Sequence, residues 1–190
     1  MLYRNYVSTL PLTKIEQDSE VSLSETWTKI NLFSISSAAR ETVYLLIHNK
    51  LATKERLFRV GLVNDPYCES CLNDSGARIC DCAHFFCTCM RVCEVWTDIR
   101  RILLALLPVS LDIQNVSNLD LITLNFPKSE ADSTFLWLLG SYLEETWKVL
   151  YTQSSVKLNK GRMFGFLRYK YKKDQLGSRV QLMEIPEFKW

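Results

Sequence analysis

The chain has 190 residues, 47% of them hydrophobic, 12% aromatic and 23% charged, with six Gly and five Pro. That composition supports one folded core and excludes a disordered, collagen-like or large multidomain chain. The net charge of +2 hides a split: residues 1–156 carry 14 basic and 18 acidic side chains and residues 157–190 carry 9 and 3, so a body of −4 leads into a tail of +6.

Residues 1–23 show no period and read as an irregular lead-in. Ser22 and Glu25 have capping-box spacing ahead of Trp27, Ile30 and Phe33, which recur at near-helical intervals. A second helix is expected from about Ala38 to Asn49, with Val43, Leu46, Ile47 and Lys50 or Leu51 along one side. Thr53 is placed to cap a short third helix carrying Leu57, Phe58 and Val60, and Gly61 to end it in a left-handed conformation. The turn Asn64-Asp65-Pro66 follows.

Past the cysteine-rich stretch, Val92, Val95, Trp96, Ile99, Leu103 and Leu106 predict an amphipathic helix that Pro108 stops. Residues 108–130 read as a connector with a short strand at 121–124. Asp132 or Ser133 opens a further helix with Phe135, Leu136, Leu139, Leu143, Trp147 and Leu150 in one stripe, and the basic segment from Lys157 to about Gln175 is helix-compatible despite Gly161 and Gly165. The expected fold is mainly α, with short helices around a small CCHC zinc knuckle over 24–107 and a helical C-terminal region over 131–190.

All seven cysteines, Cys68, Cys71, Cys80, Cys82, Cys87, Cys89 and Cys93, fall within 26 residues. A disulfide framework would staple distant segments and needs an oxidising compartment, whereas MLYRNYVSTLPL has no long apolar stretch of a signal peptide. The expected setting is intracellular, nucleus or cytoplasm, with no membrane association: the longest apolar runs, 102–109 and 135–140, fall far short of the roughly 18 residues that span a bilayer.

The spacing Cys68-x2-Cys71-x12-His84-x4-Cys89 supplies two ligand pairs separated by a loop, the pattern of a tetrahedral zinc site. Three thiolates and an imidazole favour zinc over harder ions, and four protein ligands leave no position for a catalytic water, so the expected ion is structural Zn2+. The alternative is a set of buried free cysteines. His84 and Cys89 diverge by about 140° on a continuous helix, so Cys89 requires a break there, and Cys87 competes as the fourth ligand, with Cys80, Cys82 and Cys93 as substitutes.

The run ETVYLLIHNKLATKERLFRVGLVNDPYCESC, followed by AHFFCTCMRVCEVW, resembles the reverse transcriptase zinc-binding domain that follows the polymerase in non-LTR (LINE-type) retrotransposons. Trp27, Leu46, His48, Leu51, Thr53, Arg56, Leu57 and Gly61 match the helical approach, and Cys68, Cys71, His84, Phe86, Cys89 and Trp96 the remainder. The chain departs from the pattern at Met90, at Tyr44 and in the Cys80-Asp81-Cys82 run. The likeness covers about residues 24–96 and implies Cys89 as fourth ligand, together with a non-catalytic module that helps position RNA or DNA in reverse transcription beside an upstream polymerase domain or chain. Polymerase chemistry needs paired metal-holding carboxylates, and the sequence has no Asp-Asp pair.

His48 reads as a core-edge histidine rather than a ligand. Arg40, Lys50, Lys54, Arg56 and Arg59 form a basic set partly offset by Glu41 and Glu55. In the tail, Lys157, Lys160, Arg162, Arg168, Lys170, Lys172 and Lys173 alternate with Phe164, Phe166, Tyr169 and Tyr171. Cations for phosphates and aromatics such as Tyr169 for base stacking make these residues the candidate nucleic-acid-binding set. The competing readings are Met163, Phe166, Leu167 and Tyr171 docked on the Trp147 helix with the lysines in water, and a zinc-stabilised helical protein-interaction scaffold.

Overall fold

A computed structural model describes residues 36–72, 76–107, 116–124, 133–152 and 156–174. The expected helix around Trp27, the stop at Pro108 and the residues beyond Asp174 lie outside these. Six α-helices are described: α1 Ser37–Ile47, α2 Lys54–Arg59, α3 Cys93–Ala105, α4 Asn118–Thr123, α5 Ser133–Thr152 and α6 Lys160–Lys173. A one-turn 3-10 helix at Glu69–Cys71 and a π-helical turn at His84–Thr88 lie between α2 and α3. The mainly α expectation holds, and the only extended pairing among the described residues is a single antiparallel bridge between Tyr67 and Ile79.

The arrangement is organised around α5. Fourteen of its twenty residues are buried, among them the unbroken run from Thr134 to Leu143, and a helix that is buried on all sides belongs at the centre of its fold. Helices α1, α3 and α6 and the π-helical turn all pack on it, so the segments before and after residues 108–130 share one core. On α1, Ala39, Thr42, Val43, Leu46 and Ile47 are buried at i, i+3, i+4, i+7 and i+8, the spacing of a helix with one apolar face. On α3 the buried residues are Val95, Trp96, Ile99, Ile102 and Leu103; Leu106, expected in this stripe, is half-buried, and Leu107 is buried in its place.

Local chemistry sets the helix ends. Thr53 accepts from the Arg56 N–H as the α2 N-cap. Beyond its C-cap, Gly61 takes φ +73° while the N–H groups of Gly61 and Leu62 donate to the carbonyls of Phe58 and Leu57, a Schellman closure. Asn49 does the same work at the end of α1 with φ 47°, where Asn49 and Lys50 donate to Leu46 and Leu45.

One expectation is corrected. The strand expected at 121–124 is instead the helix α4, which begins with a capping box in which Ser117 and Asp120 satisfy each other's backbone N–H groups and ends at Leu124 in the left-handed region. A run of four mostly apolar residues does not decide between strand and buried helix. Here Leu121, Ile122 and Leu124 are buried in the core, and the cap supplies the start signal. No described helix is long and apolar enough to cross a membrane.

Candidate metal centre

The loop after α2 turns at Asp65, whose carboxylate accepts from the Tyr67 N–H. The chain then runs antiparallel to the segment entering the π-helical turn: Cys68 N–H donates to the Arg78 carbonyl and Cys80 N–H to the Pro66 carbonyl, both at 2.8 Å. This short hairpin brings Cys68 and Cys71 back against His84 and Cys89, as the expected return of the loop requires. Lys54 at the start of α2 bonds Glu69, inside the Cys68–Cys71 pair, at 2.8 Å and Asp65 at 3.5 Å. The Glu69 bond holds the Lys54 ammonium above its ordinary pKa.

His84 and Cys89 come together through the break the spacing demands. Asp81 accepts from the His84 N–H three residues on, in the manner of an N-cap. The helical turn then widens so that Cys89 N–H donates to the His84 carbonyl at 2.8 Å. This i→i+5 bond places Cys89 about one full turn after His84, and the chain leaves helical geometry at Cys89 with φ −62° and ψ 136°. Tyr142 of α5 clamps the turn by donating its hydroxyl to the Phe86 carbonyl, and the Phe85 and Phe86 rings lie 5.3 and 6.5 Å from Trp147.

The result is a buried group of Cys68, Cys71, His84 and Cys89 whose ligand atoms all lie within 4.8 Å of one another. Sγ of Cys89 is 3.7 Å from that of Cys68 and 3.9 Å from that of Cys71, and Cys71 Sγ is 3.5 Å from His84 Nε2. Tetrahedral bonds of about 2.3 Å to sulfur and 2.0–2.1 Å to nitrogen give edges of about 3.8 Å and 3.6 Å. The four donors therefore have the spacing of one shell around a metal ion. The other imidazole nitrogen, Nδ1, lies 3.2 Å from the Thr88 hydroxyl, the outer-shell contact that orients a ligating histidine.

Hydrogen bonding with Cys80 and then Cys89 holds the Cys68 thiol far below the usual thiol range, while hydrogen bonding with Cys68, followed by burial, pushes Cys80 and Cys89 far above it. A dication is the counter-charge that a set of ligating thiolates requires.

The remaining cysteines are placed elsewhere. Cys87, the competing fourth ligand, is buried outside the four-donor group and lines a groove of about 720 Å3 with Thr88, Cys93, Trp96 and Arg100. Cys82 lies 3.6 Å from Asn49 Oδ1, and burial pushes its thiol up to about 12. Cys93 is half-buried near the Met90 carbonyl. Asp81 and Thr88 are contributors beyond the expected ligands, and both carried a positional signal: Asp81 lies three residues before His84, at N-cap spacing, and Thr88 four residues after it on the same turn; Cys80, offered as a substitute ligand, is buried outside the four-donor group.

The candidate nucleic-acid set divides by environment. Asn159 caps α6, whose inner stripe of Met163, Leu167 and Lys170 is buried. Its outer stripe holds Arg162, Tyr169, Lys172 and Lys173, all exposed, and Arg168 is half-buried. Lys157 pairs with Glu94 at 2.7 Å, Lys160 with Asp98 at 2.7 Å and Arg162 with Glu145 at 3.2 Å. Lys170 is not at the surface: its ammonium bonds Glu144 and the Ser36 hydroxyl. His48 packs against Tyr44 with ring centroids 4.4 Å apart and planes tilted by 52° at the end of α1. Arg56 donates to the Asn49 carbonyl at 2.6 Å, and Arg59 pairs with Glu55. No family model, curated protein or solved structure matches the chain.

Proposed function

We propose that Cys68, Cys71, His84 and Cys89 hold a structural zinc ion, and that the chain is a non-catalytic, zinc-organised helical module that binds RNA or DNA. The observation that supports the zinc reading is the group of four buried protein donors within 4.8 Å of one another; a shell filled by four protein ligands leaves no open coordination position for chemistry. The nucleic-acid reading rests on the exposed stripe of α6, where Tyr169 is 65% exposed beside Lys172 and Lys173 at helical spacing. A stacking surface flanked by cations fits a single strand or a phosphate backbone. The resemblance to the zinc-binding region of non-LTR retrotransposon reverse transcriptases adds a role in positioning template or target beside a polymerase domain or chain.

Two measurements test this. The zinc-to-protein ratio of the purified chain is expected at one. Fluorescence anisotropy with RNA and with DNA at two salt concentrations is expected to show salt-sensitive binding, and Lys172→Gln with Lys173→Gln should flatten the slope of log K against log salt by about 1.4 on a single strand. A slope unaffected by that pair of substitutions removes α6 from the binding face. A protein-interaction scaffold is the second reading, favoured by the exposed Phe58, Leu62, Tyr67 and Ile79 on and after α2 and along the knuckle; it predicts zinc at one per chain with no nucleic-acid binding at either salt.

A further inference from the structure

Aromatic rings lead from the core beside the metal centre to the surface at the end of α5. Phe86 is fully buried and Phe85 half-buried, and the turn that presents both is the one closed by the bond from Cys89 to His84. Trp147 of α5 is half-buried, with its ring 5.3 Å from Phe85 and 6.5 Å from Phe86. Tyr151, one helical turn on, stacks on Trp147 with centroids 4.8 Å apart and planes 21° from parallel, yet it is 58% exposed. A lone exposed aromatic ring is ordinary at a protein surface and by itself signals nothing. Among the exposed aromatic residues Phe58, Tyr67, Tyr151 and Tyr169, Tyr151 is distinguished by being held nearly parallel to a second ring, which fixes the plane it presents to solvent.

The charges beside this ring suit an anion. Lys148 precedes Tyr151 by three residues, which makes the two neighbours on the helix surface, and Lys148 is exposed. Glu144 and Glu145 stand one turn before it, at the spacing that pairs a glutamate with a lysine, but both are engaged elsewhere: Glu144 with Lys170 and the Ser36 hydroxyl, Glu145 with Arg162. Lys148 makes no ion pair among the described residues. From this arrangement we propose that Tyr151 is a stacking platform for an unpaired base of single-stranded nucleic acid, with Lys148 on the phosphate beside it. The inference rests on the nucleic-acid reading and adds to α6 a second contact of different chemistry. A nucleobase supplies the π-face that continues the Trp147–Tyr151 stack, and because Trp147 already orders the tyrosine ring, little side-chain freedom is lost when the base arrives. A base inside a duplex has both faces covered by its neighbours, so the platform selects single strands.

The test is fluorescence anisotropy of the full chain with two labelled single strands of about 12 nucleotides, one carrying bases and one built of abasic sites on the same phosphates, each made as RNA and as DNA. Tyr151→Leu keeps apolar bulk over Trp147 and removes the π-face; it is expected to weaken binding of the base-carrying strand by about 5–150-fold and to leave the abasic strand unchanged. Tyr151→Phe should bind both strands as the wild type does. Lys148→Gln should flatten the slope of log K against log salt by about 0.7. Equal affinity of Tyr151→Leu and wild type for the base-carrying strand, with Lys173→Gln still flattening the salt slope, would overturn the platform and leave nucleic-acid binding in place. A loss of the same size on both strands would overturn it too, because a ring that acts only through folding does not distinguish a base from its absence. A wild-type chain that binds no strand would remove the nucleic-acid reading and this site with it.

Discussion

Lys170 separates structural from ligand-binding roles within the basic tail. Its side chain is 6% exposed and pairs with Glu144, which is 21% exposed, while Ser36 lies 3.0 Å from the same ammonium. Breaking a fully buried pair by removing one partner costs about 3–5 kcal/mol, and an exposed pair is worth about 0–1 kcal/mol. With one partner buried and the other partly wet, Lys170→Met is expected to cost about 2–3 kcal/mol, leaving the Glu144 carboxylate without its cation. For a domain of this size that corresponds to a fall in Tm of roughly 4–12 °C. Urea unfolding of Lys170→Met, Glu144→Gln and the double variant forms the cycle, and the double variant is expected within about 1 kcal/mol of wild type because both charges are gone together. Should Lys170→Met unfold within about 0.5 kcal/mol of wild type while losing RNA affinity, Lys170 would be a phosphate contact and the buried bridge would be wrong.

The metal shell makes a contrast between neighbouring cysteines: Cys89→Ser should lose stoichiometric zinc and Cys87→Ser should keep it, as read by metal analysis, and the opposite pattern would move the fourth ligand to Cys87. Chelation should unfold residues 64–96, since binding of about 10 kcal/mol or more is folding free energy in such sites; helicity and near-ultraviolet dichroism that stay unchanged after zinc removal would deny the ion a structural role. Tyr142→Phe leaves the buried Phe86 carbonyl without its donor, and denaturant unfolding should show a loss of about 1–3 kcal/mol. Native-state alkylation should modify the half-buried Cys93 first and spare Cys82 and Cys87, an order that mass spectrometry checks and that early labelling of Cys87 would contradict.

Helices α1, α3 and α5 were legible because each repeats apolar residues over two or more turns, and the caps at Thr53 and Gly61 were legible because their conformational demands are local. The strand expected at 121–124 failed on length, since a run as short as Leu-Ile-Thr-Leu fits either period and the deciding capping box begins four residues earlier, at Ser117. Cys89 was ambiguous for a geometric reason. A regular helix sends His84 and Cys89 to different sides, and only the widened turn and the exit at Cys89 bring them to one point. Nothing near Lys170 in sequence could have marked it as buried, because lysine is usually exposed and its partners Glu144 and Ser36 lie 26 and 134 residues away.

The charge split between body and tail takes a different meaning once these partners are known. Lys157, Lys160, Arg162 and Lys170 each meet a carboxylate of α3 or α5, so much of the tail's positive charge is neutralised inside the chain, fastening α6 and the segment before it to the negative body. Charge asymmetry read from sequence therefore records an intramolecular fit as well as any affinity for a polyanion. The two uses need not exclude each other, because they differ in burial. The Lys157 and Lys160 side chains are 51% and 54% exposed, and pairs of that kind are worth at most about 1 kcal/mol, so a phosphate can take either lysine from its carboxylate. Lys170 cannot be recruited without dismantling the α1–α5–α6 contact. Contributions to polyanion binding should accordingly be larger at the exposed Lys173 than at Lys157 and Lys160, where a carboxylate must be displaced, and absent at Lys170; a different order in single-substitution salt slopes would mean that binding remodels the helix packing.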